Sequence, residues 1–307
     1  MRIVCAWGRG DAASLRAPLA ARLPRAEVHI WPDAPAQADY AIVWKPPQGL
    51  FARTRITRAL FNYGAGVDGL VELADLPVGI PVYRLEDAGM AQQMVDYVLA
   101  AALRAARGLD VYAMQQQDAR WKRAPMRSRG EFEIGLLGMG VLGGQVADAL
   151  RALGFRVRGH SRTPHVHPGV TMFAGADSLP AFLGGTQMLV CLLPLTEATR
   201  DMVDAAFLAL LPRGAHLVNV ARGAIIVDAD LLAALDSGHL ASVTLDVFRE
   251  EPLPQAHPFW RHPRVSVTPH SSAMTMMEPA IAQIAQRIEM LERGLPIDGA
   301  VQLSRGY

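Results

Sequence analysis

Apolar residues in this chain gather into short runs, and most runs are followed by a stretch of helical periodicity or by a polar connection. In the N-terminal part, residues 2–6, 27–30, 41–44, 60–63 and 82–84 read as strands. Strands that alternate with helices predict a parallel sheet covered by helices, because each parallel pairing needs a crossover. From residue 89 to about residue 121, Met90, Met94, Val98, Ala101 and Ala105 follow one helical face. That segment exceeds an ordinary helix and is expected to break near Gly108. A second alternating set follows, with strands at 133–137, 156–160, 187–192, 216–220, 243–246 and 264–267. Helices are expected at 144–153, 177–183, 204–210 and 228–237, and a last one at 275–293. The fold class is α/β, built from two such sets.

The second set opens on the most informative segment, Phe132-Glu133-Ile134-Gly135-Leu136-Leu137-Gly138-Met139-Gly140-Val141-Leu142-Gly143. Gly138, Gly140 and Gly143 have the G-x-G-x-x-G spacing, directly after an apolar run and before Val146, Ala147, Leu150 and Leu153 at helical spacing. The first glycine permits a tight turn, the second lets backbone approach a pyrophosphate, and the third lets helix pack on strand. The helix N-terminus adds N–H groups and partial positive charge for the phosphates. Strand, loop and helix together point to dinucleotide binding.

Composition narrows the class. The chain has 307 residues, enough for two cores, and its 30 basic against 29 acidic residues produce no field for nucleic acid or an anionic membrane. Cys5 and Cys191 sit in separate apolar runs, without disulfide or zinc spacing, as expected in a reducing cytoplasm. The start, Met1 to Gly8, is too short an apolar run for a signal peptide, and no stretch approaches the ~20 apolar residues of a membrane span. A cytoplasmic protein without a metal centre is expected.

In open parallel sheets, ligands lie beyond the carboxyl ends of the strands. Polar residues at such ends are Ser161 and Arg162, Arg222 after Val218-Asn219-Val220-Ala221, Asp246 after Val243-Thr244-Leu245, and His270 after Thr268-Pro269, with Glu251 in a short loop. Arginine grips a carboxylate bidentately, histidine moves a proton near neutral pH, and a carboxylate beside an imidazole fixes its tautomer. On spacing alone, Arg222 also reads as a surface arginine, His270 as a helix cap and Glu251 as a solvated loop residue.

Three ordered motifs after the glycine loop bear on that choice: Val218-Asn219-Val220-Ala221-Arg222-Gly223, Leu245-Asp246-Val247-Phe248 with Glu251-Pro252-Leu253, and Thr268-Pro269-His270. Together they resemble the D-2-hydroxyacid dehydrogenases over nearly the whole chain. The resemblance implies two Rossmann-like domains with parallel sheets. A discontinuous substrate domain would span residues 1–87 and 274–307, and a dinucleotide-binding domain residues 88–273. It implies Arg222 as the substrate-orienting arginine, His270 as the acid/base and Glu251 as its carboxylate partner. It extends cofactor contacts from the glycine loop to Val141, Leu142, Leu193, Pro194, Val220, Ala221, Arg222 and Asp246. Further likeness in Val43-Trp44-Lys45-Pro46-Pro47, Gly64-Ala65-Gly66-Val67-Asp68, Arg84-Leu85-Glu86-Asp87 and the closing Arg305-Gly306-Tyr307 points to the branch that reduces glyoxylate and hydroxypyruvate. There the substrate carboxylate is held on backbone N–H groups around Ala65 and Gly66, where small residues form an anion nest. Trp44 and Arg84 line the pocket, unless they are a core tryptophan and a salt-bridged arginine.

The second strand of the dinucleotide set ends Arg158-Gly159-His160-Ser161-Arg162, with serine where an NAD-selective site carries an acid for the ribose 2′-hydroxyl. Serine removes repulsion toward a 2′-phosphate, Arg162 pairs with it, and Arg158 and His165 add positive charge. NADPH is the expected cofactor, with NADH a weaker alternative. The expected reaction is reduction of a short 2-keto acid; the resemblance further implies a homodimer formed through the segment from residue 89 to 121, although a helix buried within the chain would look similar. The competing readings are a dehydrogenase for a larger acid such as phenylpyruvate, and an NAD(H)-sensing interaction protein.

Overall fold

Two parallel sheets organise the computed structural model, which describes residues 1–8, 10–124 and 128–303. In chain order the first set comprises β1 (Arg2–Trp7), α1 (Arg16–Arg22), β2 (Glu27–Ile30), β3 (Gln37–Trp44), α2 (Leu50–Arg53), β4 (Arg55–Asn62), α3 (Asp68–Val71) and β5 (Val82–Arg84). Then come α4 (Met90–Ala106), α5 (Leu109–Gln117), β6 (Glu133–Leu137), α6 (Val141–Ala152), β7 (Arg156–Ser161), β8 (Thr171–Ala174) and α7 (Leu179–Gly184). The chain continues through β9 (Met188–Cys191), α8 (Ala205–Ala209), β10 (Ala215–Asn219), α9 (Asp228–Asp236), β11 (Leu240–Leu245), β12 (Val265–Val267) and α10 (Met277–Glu292). Two compact units result: Met1–Met90 with the residues from Met274 onward, and Ala91–Ala273. The closing Arg305-Gly306-Tyr307 lies outside the described residues.

The first unit holds a sheet in the order β2-β1-β3-β4-β5, all pairings parallel. This is the flavodoxin-like doubly wound order, whose direction reverses between β1 and β3. β1 explains itself: Ile3, Val4, Cys5 and Ala6 are all fully buried, as a strand covered on both faces must be. Alternate residues divide between the faces. Val4, Ala6, Ala41, Val43 and Leu60 pack with Leu50 of α2 and Leu70 of α3 in one core. Ile281, Ile284 and Ile288 bury one stripe of α10, and Glu292 at its end accepts a 2.7 Å bond from the Tyr40 hydroxyl of β3.

The second unit has the order β12-β11-β10-β9-β6-β7-β8, again wholly parallel. Numbered from β6, this is the 3-2-1-4-5-6 dinucleotide-binding order with one further edge strand, and its switch point lies between β6 and β9. The period-2 alternation again decides the faces. Ile134, Leu136, Met188, Val190 and Val218 join Val98, Ala102, Val146 and Leu150 from α4 and α6. Leu137, Leu189, Cys191 and Leu217 join Phe182, Phe207, Leu208, Leu231 and Leu235 from α7, α8 and α9. Each valine, leucine, isoleucine, phenylalanine or methionine among them, fully buried, contributes roughly 1.5–3 kcal/mol before the entropy of ordering is subtracted.

Gly108 stands left-handed (φ 64°) between α4 and α5, where the long helical segment was expected to break. β8 was not anticipated. It is an edge strand with Thr171 exposed and the other three residues half-buried, and its apolar run, Met172-Phe173-Ala174, is only three residues long.

Candidate active site

The strands of the second unit are parallel, so their carboxyl ends share one edge. The glycine loop follows β6 there. Gly138 (φ 113°) leaves no room for a side chain, since a Cβ would lie 2.9 Å from the carbonyl of Leu192. At Gly143 a Cβ would come within 2.1 Å of Gly138 O, so helix and turn touch backbone to backbone. At Gly140 it would meet nothing within 4 Å, and open space lies over the N-terminus of the α6 helix. Turn, helix start and open approach fit a pyrophosphate. Val141 and Leu142 form the first turn of α6, and Leu193 and Pro194 follow β9.

Ser161 ends β7. Its Oγ donates to Thr163 O (2.8 Å) and lies 3.2 Å from Nδ1 of His165, so the loop folds back over the strand end. Arg162 and His165 are exposed in this loop. Arg158 is committed elsewhere. Its Nη1 donates to Ala181 O and Phe182 O (2.9 and 3.0 Å), its Nε lies 3.4 Å from Glu133, and its guanidinium covers Phe173. The positive charge expected from Arg158 near a 2′-phosphate is therefore spent on α7 and the β6 edge.

β10 leads into Val220, Ala221 and Arg222. Asn219, fully buried, shapes this turn: its Oδ1 accepts from Ala221 N (3.1 Å) and its Nδ2 donates to Arg222 O (3.0 Å). Half-buried Arg222 donates from Nη1 to Ala221 O (2.7 Å). The next residue, Gly223, lies against Phe248, where a Cβ would sit 1.9 Å from the Phe248 carbonyl carbon. The loops carrying Arg222 and Glu251 are thus in backbone contact.

His270 Nδ1 and Glu251 Oε2 are 2.8 Å apart, with side-chain exposures of 43% and 31%. The second carboxylate oxygen, Oε1, accepts from Phe248 N (3.0 Å). His270 itself stands left-handed (φ 52°), a conformation costly for a residue with a Cβ. It persists because its N–H donates to Asp246 O (2.8 Å) and because the segment around it is tied to the Asp246 carboxylate. Asp246 is fully buried. Its Oδ1 accepts from Thr268 Oγ1 (2.6 Å) and Ser271 N (2.9 Å), and its Oδ2 from Ser272 N (2.8 Å). The Tyr97 hydroxyl of α4 reaches Thr268 Oγ1 at 2.5 Å, completing a half-buried chain of polar contacts from helix to loop. Burial raises the Tyr97 pKa above the usual phenol range. Tyr97, Thr268 and Asn219 carry no signal of this role in the sequence, because each acts through a partner set only by the fold.

In the first unit, the turn 64–66 follows β4. Asn62, buried at the strand end, donates from Nδ2 to Gly64 O (3.0 Å) and Gly66 O (2.9 Å), gathering two carbonyls on one amide. Ala65 and Gly66 are half-buried. The indole of Trp44, at the end of β3, covers this turn so closely that a Cβ on Gly64 would lie 2.4 Å from the ring. Arg84 ends β5; its carbonyl accepts from Arg287 Nη1 of α10 (2.6 Å). Among the described residues there is no cluster of metal-ligating side chains.

Known proteins resemble this chain in sequence and fold. Residues 99–272 match the model of the D-isomer specific 2-hydroxyacid dehydrogenase, NAD binding domain. The glyoxylate/hydroxypyruvate reductase A of Serratia proteamaculans is 48% identical over 297 residues, 95% of each chain. The crystal structure of a D-isomer specific 2-hydroxyacid dehydrogenase from Xanthobacter autotrophicus Py2, in complex with NADPH and MES, is 42% identical with a TM-score of 0.94, covering 100% of this chain and 99% of that one. An NADPH-dependent glyoxylate/hydroxypyruvate reductase from Sinorhizobium meliloti, in complex with NADP and sulfate, is 34% identical with a TM-score of 0.92 over the same shares. This chain belongs to the D-isomer specific 2-hydroxyacid dehydrogenase family.

Proposed function

We propose that this protein is an NADPH-dependent reductase of short 2-keto acids, converting glyoxylate to glycolate and hydroxypyruvate to D-glycerate. The 2.8 Å contact between His270 Nδ1 and Glu251 Oε2 carries the reading. It provides an oriented imidazole on the same strand edge as the glycine loop. Bound NADPH supplies hydride to the carbonyl carbon. His270 has Nδ1 engaged by Glu251, which leaves Nε2 to give a proton to the carbonyl oxygen. Glu251 fixes the ring's orientation and offsets the imidazolium charge, and Arg222 grips the keto-acid oxygens through its planar fork. Asp246 places the loop that carries His270. In the first unit the backbone of the turn at Ala65 and Gly66 takes a carboxylate, with Trp44 and Arg84 contributing to the substrate site. The substrate domain is assigned to residues 1–87 and 274–307 and the cofactor domain to 88–273. An NAD(H) sensor has no use for the imidazole–carboxylate pair, and the named relatives favour short acids over phenylpyruvate. A steady-state comparison of NADPH with NADH on glyoxylate, hydroxypyruvate and phenylpyruvate tests the proposal. Failure of NADPH absorbance to fall with either short acid would sink it.

Selectivity for the phosphorylated cofactor rests on Ser161 and Arg162. Ser161→Asp brings a carboxylate toward the 2′-phosphate. Two unit charges ~4 Å apart repel by about 4 kcal/mol at an effective dielectric of ~20, and solvent exposure reduces this. The expected result is a rise in KM for NADPH on the order of 10²-fold, with that for NADH little changed, read from initial rates.

The protein is further proposed to act as a homodimer through α4 and α5. α5 buries none of its residues within the chain, and Leu103, Leu109 and Val111 are 38%, 51% and 39% exposed. A short helix gains little from propensity alone and needs an apolar partner surface. Asp110 ties it to the sheet through Ser242 Oγ (2.9 Å), so its outer face is presented in fixed orientation. Leu109→Glu with Val111→Glu is expected to halve the mass measured by light scattering; an unchanged mass would refute the surface. A cytoplasmic location completes the proposal, supported by the unpaired, buried Cys5 and Cys191, and no helix among the described residues is long and apolar enough to cross a membrane.

A further inference from the structure

Glu251 reaches His270 from a loop, and its second oxygen is held by Phe248 N at the start of that loop. Between the two lies Arg249, whose side chain is 35% exposed and resembles an ordinary surface cation. Its contacts say otherwise. Arg249 Nε donates to Ile226 O at 3.0 Å, and Nη2 donates to the same carbonyl and to the carboxylate of Asp201. Nε also lies 3.8 Å from Asp228 Oδ1, and the other oxygen of Asp228 lies 3.6 Å from His257 Nε2. Burial raises the Asp228 carboxyl above its usual range, against the smaller opposing pull of Arg249 and His257. Asp201 N donates to Ala224 O (2.9 Å), so the Arg249 anchor is itself fastened to the segment after Arg222. On its other side Phe248 abuts Gly223 backbone to backbone. The loop is thus pinned at both ends of the Phe248-Arg249 peptide, with only Glu250 between the pinned residue and Glu251.

We infer that Arg249 is a positioning residue acting through Glu251: by fastening its loop to Ile226 and Asp201, it presents the Glu251 carboxylate to His270. The inference rests on the reading of His270 and Glu251 as the proton-transfer pair, and goes beyond it by naming what holds the pair in register. Misplacement of a catalytic group by a fraction of an ångström is costly.

A double-mutant cycle tests it, using full-length enzyme, NADPH and glyoxylate. Wild type, Arg249→Ala, Glu251→Gln and the double variant are compared, with Arg249→Lys alongside. Arg249→Ala is expected to lower kcat about tenfold, with KM for NADPH changed less than about twofold. In the Glu251→Gln background the same change should cost less than about twofold in kcat, because the carboxylate charge that Arg249 positions against His270 is already gone. Lysine, which retains the charge toward Asp201, should restore part of the loss. Equal losses in both backgrounds, or a wild-type kcat for Arg249→Ala, would overturn the inference. A wild-type kcat for Glu251→Gln would instead overturn the proton-transfer reading beneath it. Should Arg249→Ala fail to fold, Asp201→Asn removes the guanidinium's partner and passes through the same cycle under the same criteria.

Discussion

His270→Ala is expected to lower turnover of glyoxylate by NADPH roughly 10²–10⁴-fold, the usual loss when a general acid is removed. NADPH affinity should change little, because the glycine loop and the end of β7 form without His270. The size follows from the geometry. Glu251 holds one ring nitrogen, so the imidazole is a single oriented donor that water replaces poorly. Alanine at this position is also not strained beyond the wild type, since the left-handed backbone (φ 52°) is held by N–H bonds to Asp246 and Thr268 carbonyls that it retains. Thermal denaturation should therefore scarcely move. Cofactor titration by fluorescence, steady-state rates and melting curves together decide the matter. A kcat within a few-fold of wild type would remove His270 from the mechanism.

Asp246→Ala should act through stability as well as rate. The fully buried carboxylate accepts from the backbone N–H groups of Ser271 and Ser272 and from the Thr268 hydroxyl. Removing it strands those donors in the interior, where each charge-assisted bond contributes about 1.5–3 kcal/mol and an unpaired donor costs about 1–3 kcal/mol. A loss of about 3–5 kcal/mol is expected, allowing for local relaxation and some water entry. In a unit of this size that corresponds to a fall in Tm on the order of 10 °C. Turnover should fall with it, because the His270 loop loses its tether. Asp246→Asn is the sharper comparison: the amide keeps one acceptor but turns an N–H toward a donor, so it should melt between alanine and wild type. A melting curve for Asp246→Ala that overlays the wild type would show that the loop is held by other means.

Central strands were legible in the sequence because parallel strands covered on both faces are nearly continuous apolar runs. β6 and β9 declare themselves in this way. β3 and β4 begin earlier than the apolar runs indicate, at Gln37 and Arg55, because polar residues interrupt their first halves around the buried Ala38 and Ile56. α6 begins at Val141 rather than residue 144, since Gly143 and Gly144 disguise a helix start as loop. β8 offered only the three-residue run Met172-Phe173-Ala174, too short to stand out as a strand. Among the proposed site residues, those in motifs were visible as residue types following strands. What the sequence could not disclose was who holds them. Tyr97 and Thr268 stand 171 residues apart, and Arg249 meets Asp201 across 48. Such pairings follow from strand order, which depends on the whole chain rather than on local pattern.

The contact between Gly143 and Gly138 O has a consequence for divergence within the fold. At that point main chain rests on main chain, and no side chain of any size is compatible with it. Ser161 to His165, by contrast, form an outward loop whose side chains bear little of the packing. On the proposed reading, holding a nucleotide and choosing between its two forms are vested in separate pieces of chain. One is frozen by geometry, and the other is free to drift, so cofactor preference would be exchangeable without rebuilding the cradle.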